Sequence, residues 1–179
     1  MNCTPKAVLP ILCLALAACG QAKGAADAVE AEIFNPAGVV LGTARFEPAT
    51  HGVIITISAQ YLEPGKHGMH LHQVGNCNDP NAGFTASGGH IAPSGKPHGF
   101  RNEKGPHEGD LPNLVVGEDG TARVELYTDM VTMKEGVAAL RDADGSALVI
   151  HEKPDDYNSQ PIGGAGARVG CAAIPAAKK

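Results

Sequence analysis

Histidine is the residue whose number and spacing stand out in this sequence, with eight copies in 179 positions. His70 and His72 lie two positions apart at the end of an apolar stretch, so on a β-strand both imidazoles project from the same face. His67 has the opposite parity and is expected to point away from them. His151 follows the apolar run 147–150 and can complete the group from a neighbouring strand. A set of imidazole nitrogens suits copper or zinc, and a tetragonal arrangement of them favours Cu(II).

A second group of potential metal ligands lies in the Gly- and Pro-rich segment 73–112. His90, His98, His107 and Asp110 follow one another at intervals of 8, 9 and 3 positions. Three imidazoles and one carboxylate can fill the tetrahedral shell of zinc with no open position, as in structural zinc sites. A segment this long without periodicity needs a function or a cross-link to hold it, and metal binding can order such a loop. The spacing therefore favours a second metal site.

Short β-strands are the elements that must position these histidines. Positions 51–58 and 121–127 alternate apolar and polar residues, which predicts strands with one buried face. Asp119-Gly120, before the second of these, predicts a hairpin with 114–116. Further strands are predicted at 29–34, 39–46, 147–151 and 168–174, with a single helical turn at 133–140. Strands spaced in this way predict an antiparallel sandwich or barrel.

Composition excludes two classes of protein. The formal net charge is −5, so there is no basic surplus to neutralise phosphates, and nucleic acid is not an expected partner. Only 18% of residues are charged, which argues against a disordered acidic chain. Tryptophan is absent and aromatic residues make up 4%, so the core must be built from Val, Ile, Leu and Ala.

The N-terminal segment has the features of an export signal. Lys6 precedes an apolar run that is too short to span a bilayer. The run ends in Leu-Ala-Ala-Cys at 16–19, which resembles the lipobox of bacterial lipoproteins and implies lipidation of Cys19. We therefore predict a lipoprotein signal peptide at 1–18, a flexible tether at 19–28 and one domain at 29–179. The alternative is an ordinary cleavage after an A-x-A pattern at 15–17.

Two cysteines remain after Cys3 and Cys13 leave with the signal and Cys19 becomes the anchor. An exported protein folds in an oxidising compartment, so Cys77 and Cys171 are expected to form a disulfide. In the chain-entropy model, a bridge closing a loop of this length contributes roughly 4–5 kcal/mol to stability.

Four motifs together resemble the copper/zinc superoxide dismutases. Gly65–His72 is similar to the first copper-binding signature of that family, and Gly163–Cys171 to the second. The spacing from His90 to Asp110 and the stretch 151–156 match the same family, and the resemblance runs from about Val29 to Ile174. It implies an eight-stranded antiparallel Greek-key β-sandwich or barrel, immunoglobulin-like, with a long metal-binding loop and a short active-site loop. The implied activity is dismutation of superoxide to dioxygen and hydrogen peroxide.

The resemblance also implies a role for individual residues, with one copper and one zinc ion per subunit. The implied copper ligands are His70, His72, His90 and His151, and the implied zinc ligands are His90, His98, His107 and Asp110. His90 would bridge the two metals and deliver a proton to the product. Asp155 would join His70 to His98, and Arg168 would hold the substrate anion beside copper. Cys77 and Cys171 match the family disulfide, and His67 resembles a structural histidine that bonds loop backbone.

Several points are implied only in outline. Segment 157–166 carries no charge, so it looks like the shorter bacterial form, and Lys66 or Lys96 are candidates for substrate steering. A lipid-anchored bacterial member would act in the periplasm, with the outer membrane as the favoured bilayer. Members of the family occur as monomers and as homodimers.

The rival hypothesis is a copper and zinc carrier without turnover. Arg168 and a bridging His90 argue against it, because storage needs neither.

Overall fold

The computed structural model describes residues 27–178, and within this range no helix is long and apolar enough to cross a membrane. The predicted signal peptide, Cys19 and the tether up to residue 26 lie outside the described residues. The described part of the chain contains nine β-strands: β1 (Val29–Phe34), β2 (Val40–Ala49), β3 (Gly52–Ala59), β4 (Gly65–His67), β5 (Met69–His72), β6 (Leu114–Val116), β7 (Ala122–Thr128), β8 (Ser146–His151) and β9 (Arg168–Ile174).

Seven of these strands form one curled antiparallel sheet in the order β5-β8-β9-β1-β2-β3-β7, and β4 pairs with β6 in a separate two-stranded sheet. The neighbours β5–β8, β9–β1 and β3–β7 are not consecutive in the chain, so long connections cross between distant strands. The predicted all-β antiparallel fold is confirmed. The described residues form nine strands where eight were expected, because the first predicted signature is divided between β4 and β5.

Gly68 is the residue that divides the two strands. Its N–H donates to Lys153 O at 2.7 Å, and its carbonyl accepts the N–H of His151 at 2.8 Å. A Cβ at this position would lie 2.7 Å from the Cβ of Ala165, which is too close for any residue but glycine. The close approach gives β4 and β5 different partners, and it places His67 on the opposite side from His70.

The apolar core follows the alternation in the sequence. On β3, Val53, Ile55 and Ile57 are fully buried, and they pack with Phe46 and Leu148 in the main core. Every residue of β8 is buried, since Leu148 and Ile150 face this core while the opposite face lies under the loop 73–112. There Ala147 and Val149 pack against Phe84 of the loop and the disulfide cysteine of β9.

Two local predictions are wrong. The turn at Asp119-Gly120 forms, but it does not make a hairpin, because β6 pairs with β4 while β7 pairs with β3. Segment 133–140 contains no helical turn. Instead, Thr132 and Ala139 form an isolated parallel bridge, and Leu140 N–H donates to Thr132 O at 2.8 Å.

The long segment 73–112 is ordered by short elements and by the predicted disulfide. It contains two 3-10 helices, Pro80–Ala82 and Thr85–Ser87. The Cys77–Cys171 bond is confirmed, with Cα atoms 5.9 Å apart across 94 positions of sequence. Since Cys171 is a central residue of β9, the bond fixes the start of the loop to the main sheet.

Candidate metal centre

Backbone hydrogen bonds at Leu71 bring the loop against β5. The N–H of Leu71 donates to Gly109 O at 2.8 Å, and its carbonyl accepts the N–H of Ile91 at 2.9 Å. These bonds place His90 opposite His72 and Asp110 opposite His70 as isolated bridges. The two groups of potential ligands that the sequence separates by 18 or more positions are therefore neighbours.

Four buried imidazoles meet at this point, three of which have one ring nitrogen held by a fixed acceptor. His70 Nε2 lies 3.0 Å from Asp155 Oδ2, His72 Nδ1 lies 2.9 Å from Gly88 O, and His151 Nδ1 lies 3.0 Å from Gly166 O. Because a carbonyl or carboxylate only accepts, each of these nitrogens carries the proton. The other nitrogen of each ring then presents its lone pair.

The remaining nitrogens converge without a hydrogen-bond partner. His70 Nδ1, His72 Nε2, His90 Nε2 and His151 Nε2 are all buried and unpartnered among the described residues. Ligand atoms of these four residues lie within 4.8 Å of one another. A single unpartnered buried nitrogen is costly, and four that face one another form a donor set for a metal that prefers imidazole. The residues present therefore fit a copper ion.

The protonation states agree with this donor set. Burial lowers the pKa of His70 to about 3 and that of His151 to about 4. Burial also holds the pKa of His72 well below its ordinary value. These three imidazoles are therefore neutral at neutral pH, which is the form that binds a metal.

The predicted zinc residues form the second donor set. His90 Nδ1 lies 3.1 Å from His107 Nδ1 and 3.1 Å from Asp110 Oδ1. Asp110 Oδ1 lies 2.8 Å from His98 Nδ1 and 3.7 Å from His107 Nδ1. A tetrahedron whose zinc–ligand bonds are about 2.0 Å has edges of roughly 3.3 Å, so these separations suit a zinc ion.

A different group of four, His70, His90, His98 and Asp110, also has its potential ligand atoms within 4.8 Å of one another. His70 is already bonded to Asp155 through Nε2, and its Nδ1 belongs to the first set of nitrogens. His107 therefore stays the predicted fourth zinc ligand. His90 is shared, because Nδ1 lies in the zinc set and Nε2 in the copper set.

Asp155 connects the two sets, at the position that the sequence predicts. Its Oδ2 accepts from His70 Nε2 and its Oδ1 from His98 Nε2, both at 3.0 Å. Burial opposes ionisation of Asp155, but the two histidine hydrogen bonds outweigh it and hold the pKa of this carboxyl far below its usual range. His98 lies between two carboxylates. Although burial opposes it, hydrogen bonds to Asp110 and Asp155 raise the pKa of His98 to about 9.

Two amide side chains that no sequence pattern indicates bond the backbone of Asp155 and of His98, the carboxylate and one of the histidines that it joins. Asn113 Oδ1 accepts the N–H of Asp155 at 2.8 Å, and its Nδ2 donates to the carbonyl of Asp155 at 2.9 Å. Gln160 contacts the backbone of His98 in the same two-point way, at 3.0 and 2.9 Å. Their targets are backbone groups, so neither residue belongs to a spacing pattern that could have revealed it.

Arg168 lies beside the first donor set. It pairs with His151 in the register of β8 and β9. Its Nη1 donates to Phe84 O at 2.6 Å and to Ser87 Oγ at 2.9 Å, and its Nη2 donates to Gly88 O at 2.8 Å. A guanidinium has five N–H groups. Three are engaged within the described residues, and the two others have no hydrogen-bond partner there.

His67 and His51 lie apart from both sets. The ring nitrogens of His67 contact His151 O at 2.7 Å and Glu63 O at 2.8 Å, which agrees with the structural role that its parity predicts. His51 is exposed next to the turn between β2 and β3. Two adjacent buried donor sets that share one histidine, built on an antiparallel sheet and flanked by an arginine, are the arrangement of a metalloprotein with two metal sites.

Comparison with known proteins identifies the family. A family profile described as copper/zinc superoxide dismutase matches residues 40–174. A Cu-Zn superoxide dismutase of Aquifex aeolicus is 41% identical over 146 residues, covering 80% of this chain and 84% of the relative. A Cu-Zn superoxide dismutase of Caulobacter vibrioides is 42% identical over 136 residues, covering 74% and 77%. The crystal structure of a SOD-like protein from Bacillus subtilis superimposes with a TM-score of 0.77 at 38% identity, covering 81% of this chain and 97% of that one.

The chain belongs to the copper/zinc superoxide dismutase family. Its activity is the dismutation of superoxide to dioxygen and hydrogen peroxide, and its cofactors are copper and zinc. The predictions of family, enzyme class and cofactors are thereby confirmed.

Proposed function

We propose that copper is held by His70, His72, His90 and His151, and zinc by His90, His98, His107 and Asp110. The observation that carries this assignment is the set of four buried imidazole nitrogens that lie close together with no hydrogen-bond partner in the described part of the chain. The proton on the far nitrogen of three of these rings has a fixed acceptor, which orients the ring and fixes its tautomer. His90 would serve both ions, because its Nε2 lies in the copper set and its Nδ1 in the zinc set.

The reaction consumes two superoxide anions and two protons and yields one dioxygen and one hydrogen peroxide. When bound, copper supplies the one-electron Cu(II)/Cu(I) couple that lets one superoxide lose an electron and another gain it. The chain has to attract a small anion to the site, orient it and provide a proton. Since the protein carries a net charge of −5, a local positive group is needed to favour the encounter.

Arg168 binds and orients the anion. Its guanidinium is charged at every working pH, and three acceptors on the loop fix its position beside His151. The two N–H groups that are left can hold the oxygen atoms of superoxide. Lys66 and Lys96, both exposed, are candidates for a weaker steering role at longer range.

His90 supplies a proton to the reduced substrate. Its Nε2 has no other partner among the described residues, so when this nitrogen is not a copper ligand it would take a proton from solvent and could deliver that proton where the peroxide forms. Its Nδ1 lies in the zinc donor set, 3.1 Å from Asp110 Oδ1 and from His107 Nδ1, so bound zinc would hold the ring in place while Nε2 exchanges its proton. A carrier that only stored the two metals would need neither this proton nor Arg168.

The cellular setting of the enzyme is part of the proposal. The lipobox-like 16–19 and the disulfide between Cys77 and Cys171 support export to the periplasm, with Cys19 lipidated and the outer membrane as the favoured bilayer. There the enzyme would protect the cell envelope from superoxide, as a monomer or as a homodimer. Labelled palmitate should be incorporated into the full chain and not into Cys19→Ser. Equal labelling of both would contradict the anchor.

The catalytic assignment is tested by the rate of superoxide dismutation by the purified chain after loading with copper and zinc. We expect His151→Ala to abolish activity because one of four copper ligands is lost. Arg168→Ala should lower kcat/KM at least about tenfold, since the anion loses its cationic partner. Arg123→Ala, which removes an exposed arginine of β7, is the matched control and should keep full activity. Binding of both metals with no activity above that of free copper would overturn the assignment.

A further inference from the structure

The Ser87 hydroxyl is a buried polar group that the mechanism so far does not use. Ser87 is the last residue of the 3-10 helix Thr85–Ser87 and has no exposed surface. Its Oγ lies 2.9 Å from Phe84 O, 2.9 Å from Arg168 Nη1 and 3.3 Å from His72 Nδ1. One hydroxyl therefore contacts both the arginine proposed to bind the anion and a proposed copper ligand.

The direction of each hydrogen bond follows from the groups involved. The Phe84 carbonyl can only accept, so the hydroxyl hydrogen of Ser87 points to it. The guanidinium of Arg168 can only donate, so it uses one lone pair of Oγ. His72 Nδ1 carries a proton because its nearer partner is the carbonyl of Gly88, at 2.9 Å, and this proton can share the second lone pair. The hydroxyl then uses its one donor and both acceptor positions.

Arg168 and His72 consequently share two acceptors. Gly88 O accepts from Arg168 Nη2 at 2.8 Å and from His72 Nδ1 at 2.9 Å. Ser87 Oγ accepts from Nη1 of the same arginine and, at the longer distance, from the same histidine nitrogen. Two parallel bridges restrict rotation of the guanidinium plane in a way that a single bridge does not.

We propose that Ser87 is a positioning residue that fixes the guanidinium of Arg168 relative to the imidazole of His72. The inference rests on the anion-binding role proposed for Arg168. Without the hydroxyl, Nη1 keeps one of its two acceptors, the carbonyl of Phe84. Within the turn, that carbonyl is then held by the backbone N–H of Ser87 alone, at the longer distance of 3.2 Å. The guanidinium can then tilt about the bond to Gly88 O, so the N–H groups aimed at the anion lose their alignment.

The test uses the holoenzyme of the full chain and measures azide binding, since azide is a small anion with the charge of superoxide and its binding to Cu(II) changes the absorption spectrum. We expect Ser87→Ala to bind azide about tenfold more weakly, the effect of losing one hydrogen bond to a charged group. Phenylglyoxal, which reacts with accessible guanidinium groups, should modify Arg168 of this variant faster, as followed by mass spectrometry of the peptide.

Thr85→Val is the matched control. It removes a hydroxyl from the same turn, but that hydroxyl donates to Asp79 and contacts neither Arg168 nor His72. It should keep the wild-type azide affinity and phenylglyoxal rate. Ser87→Thr retains the hydroxyl and should restore azide affinity at least in part. A merely structural role would instead lower the unfolding temperature of Ser87→Ala and Ser87→Thr alike, with no difference in azide affinity between the two variants.

Two further outcomes distinguish a failure of the role proposed for Ser87 from a failure of the role proposed for Arg168. If Arg168→Ala leaves azide affinity unchanged, the role proposed for Arg168 is wrong. If Arg168→Ala weakens azide binding while Ser87→Ala matches the wild type in azide affinity and phenylglyoxal rate, the role of Ser87 alone is overturned. Should Ser87→Ala fail to fold, Ser87→Cys takes its place, with the same expected weakening, because a thiol is a poor acceptor.

Discussion

His70 and His98 are joined by one carboxylate, each donating from Nε2 at 3.0 Å to a different oxygen of Asp155. One of these imidazoles belongs to the proposed copper set and the other to the proposed zinc set. A displacement of the carboxylate therefore reorients ligands of both metals at once. The two proposed sites would therefore be coupled in two ways, directly through the ring of His90 and indirectly through Asp155.

Replacing Asp155 by Asn tests this indirect coupling. The amide keeps one acceptor, but its NH2 group faces the N–H of the other imidazole, so one of the two rings loses its partner. We expect zinc affinity to fall about 10- to 100-fold, the usual cost of losing a carboxylate that orients a ligand. Competition with a chelator, followed by metal analysis of the protein, measures the change.

Asp156→Asn is the control for that experiment. Asp156 is the exposed neighbour of Asp155, and its Oδ1 accepts from the N–H groups of Asn158 and Ser159 in a turn. An Asn side chain keeps this acceptor, so both metal affinities should stay at the wild-type level. Equal zinc affinity in Asp155→Asn and Asp156→Asn would show that the carboxylate link does not support the zinc site.

Zinc binding to the metal-free protein should release about one proton at pH 7. Hydrogen bonds to Asp110 and Asp155 raise the pKa of His98 to about 9 despite burial, so the free imidazole is protonated on both nitrogens at pH 7. A zinc ion needs the lone pair of Nδ1 and must displace that proton. The apparent zinc affinity should therefore increase with pH up to about pH 9 and become constant above it. Calorimetric titration in buffers of different protonation enthalpy counts the protons, and a count of zero would contradict the prediction.

The proposed metal ligands could be predicted from the sequence, whereas the side chains that hold these ligands and Arg168 in position could not. His70 and His72 stand out because a strand places alternate residues on one face, and His90 to Asp110 stand out because zinc needs four donors close together. The supporting contacts involve backbone carbonyls, backbone N–H groups or the guanidinium of an arginine far away in sequence. They are made by Asn113, Gln160 and Ser87. Their partners are created by the fold, so residue type and spacing do not reveal them.

Strand partners were harder to predict than strands. The bounds of β1 and β9 agree with the predicted strands, but the hairpin predicted at Asp119-Gly120 does not form. Its two flanking strands belong to different sheets, because β3 is long enough to cover β7 along its whole length while β6 has only three residues. Local turn chemistry cannot anticipate that competition, which is decided by distant strands.

Removing the disulfide should destabilise the protein and also disturb Arg168. The bridge ties the loop to β9 three residues beyond this arginine, and the loop supplies all three of its acceptors. In Cys77→Ser/Cys171→Ser, the free energy of unfolding should fall by roughly 4–5 kcal/mol in the chain-entropy model. Urea unfolding of the wild type and the double variant measures this difference. An unchanged urea midpoint would contradict it, and a lower midpoint with unchanged kcat/KM would show that the loop holds Arg168 without the bridge.

Asn113→Ala tests whether the amide of Asn113 holds Asp155 in place. The backbone N–H and C=O of Asp155 would both lose their partner in a site where that residue is 3% exposed. Unsatisfied buried groups of this kind cost about 1–3 kcal/mol, so the unfolding temperature should fall and zinc affinity should fall with it. Asn102→Ala is the control, since the side chain of Asn102 accepts the N–H of Lys104 in an exposed turn and makes no other hydrogen bond within residues 27–178. Thermal unfolding with and without zinc distinguishes the two variants, and equal shifts in both would show that the amide of Asn113 has no special part in holding the carboxylate.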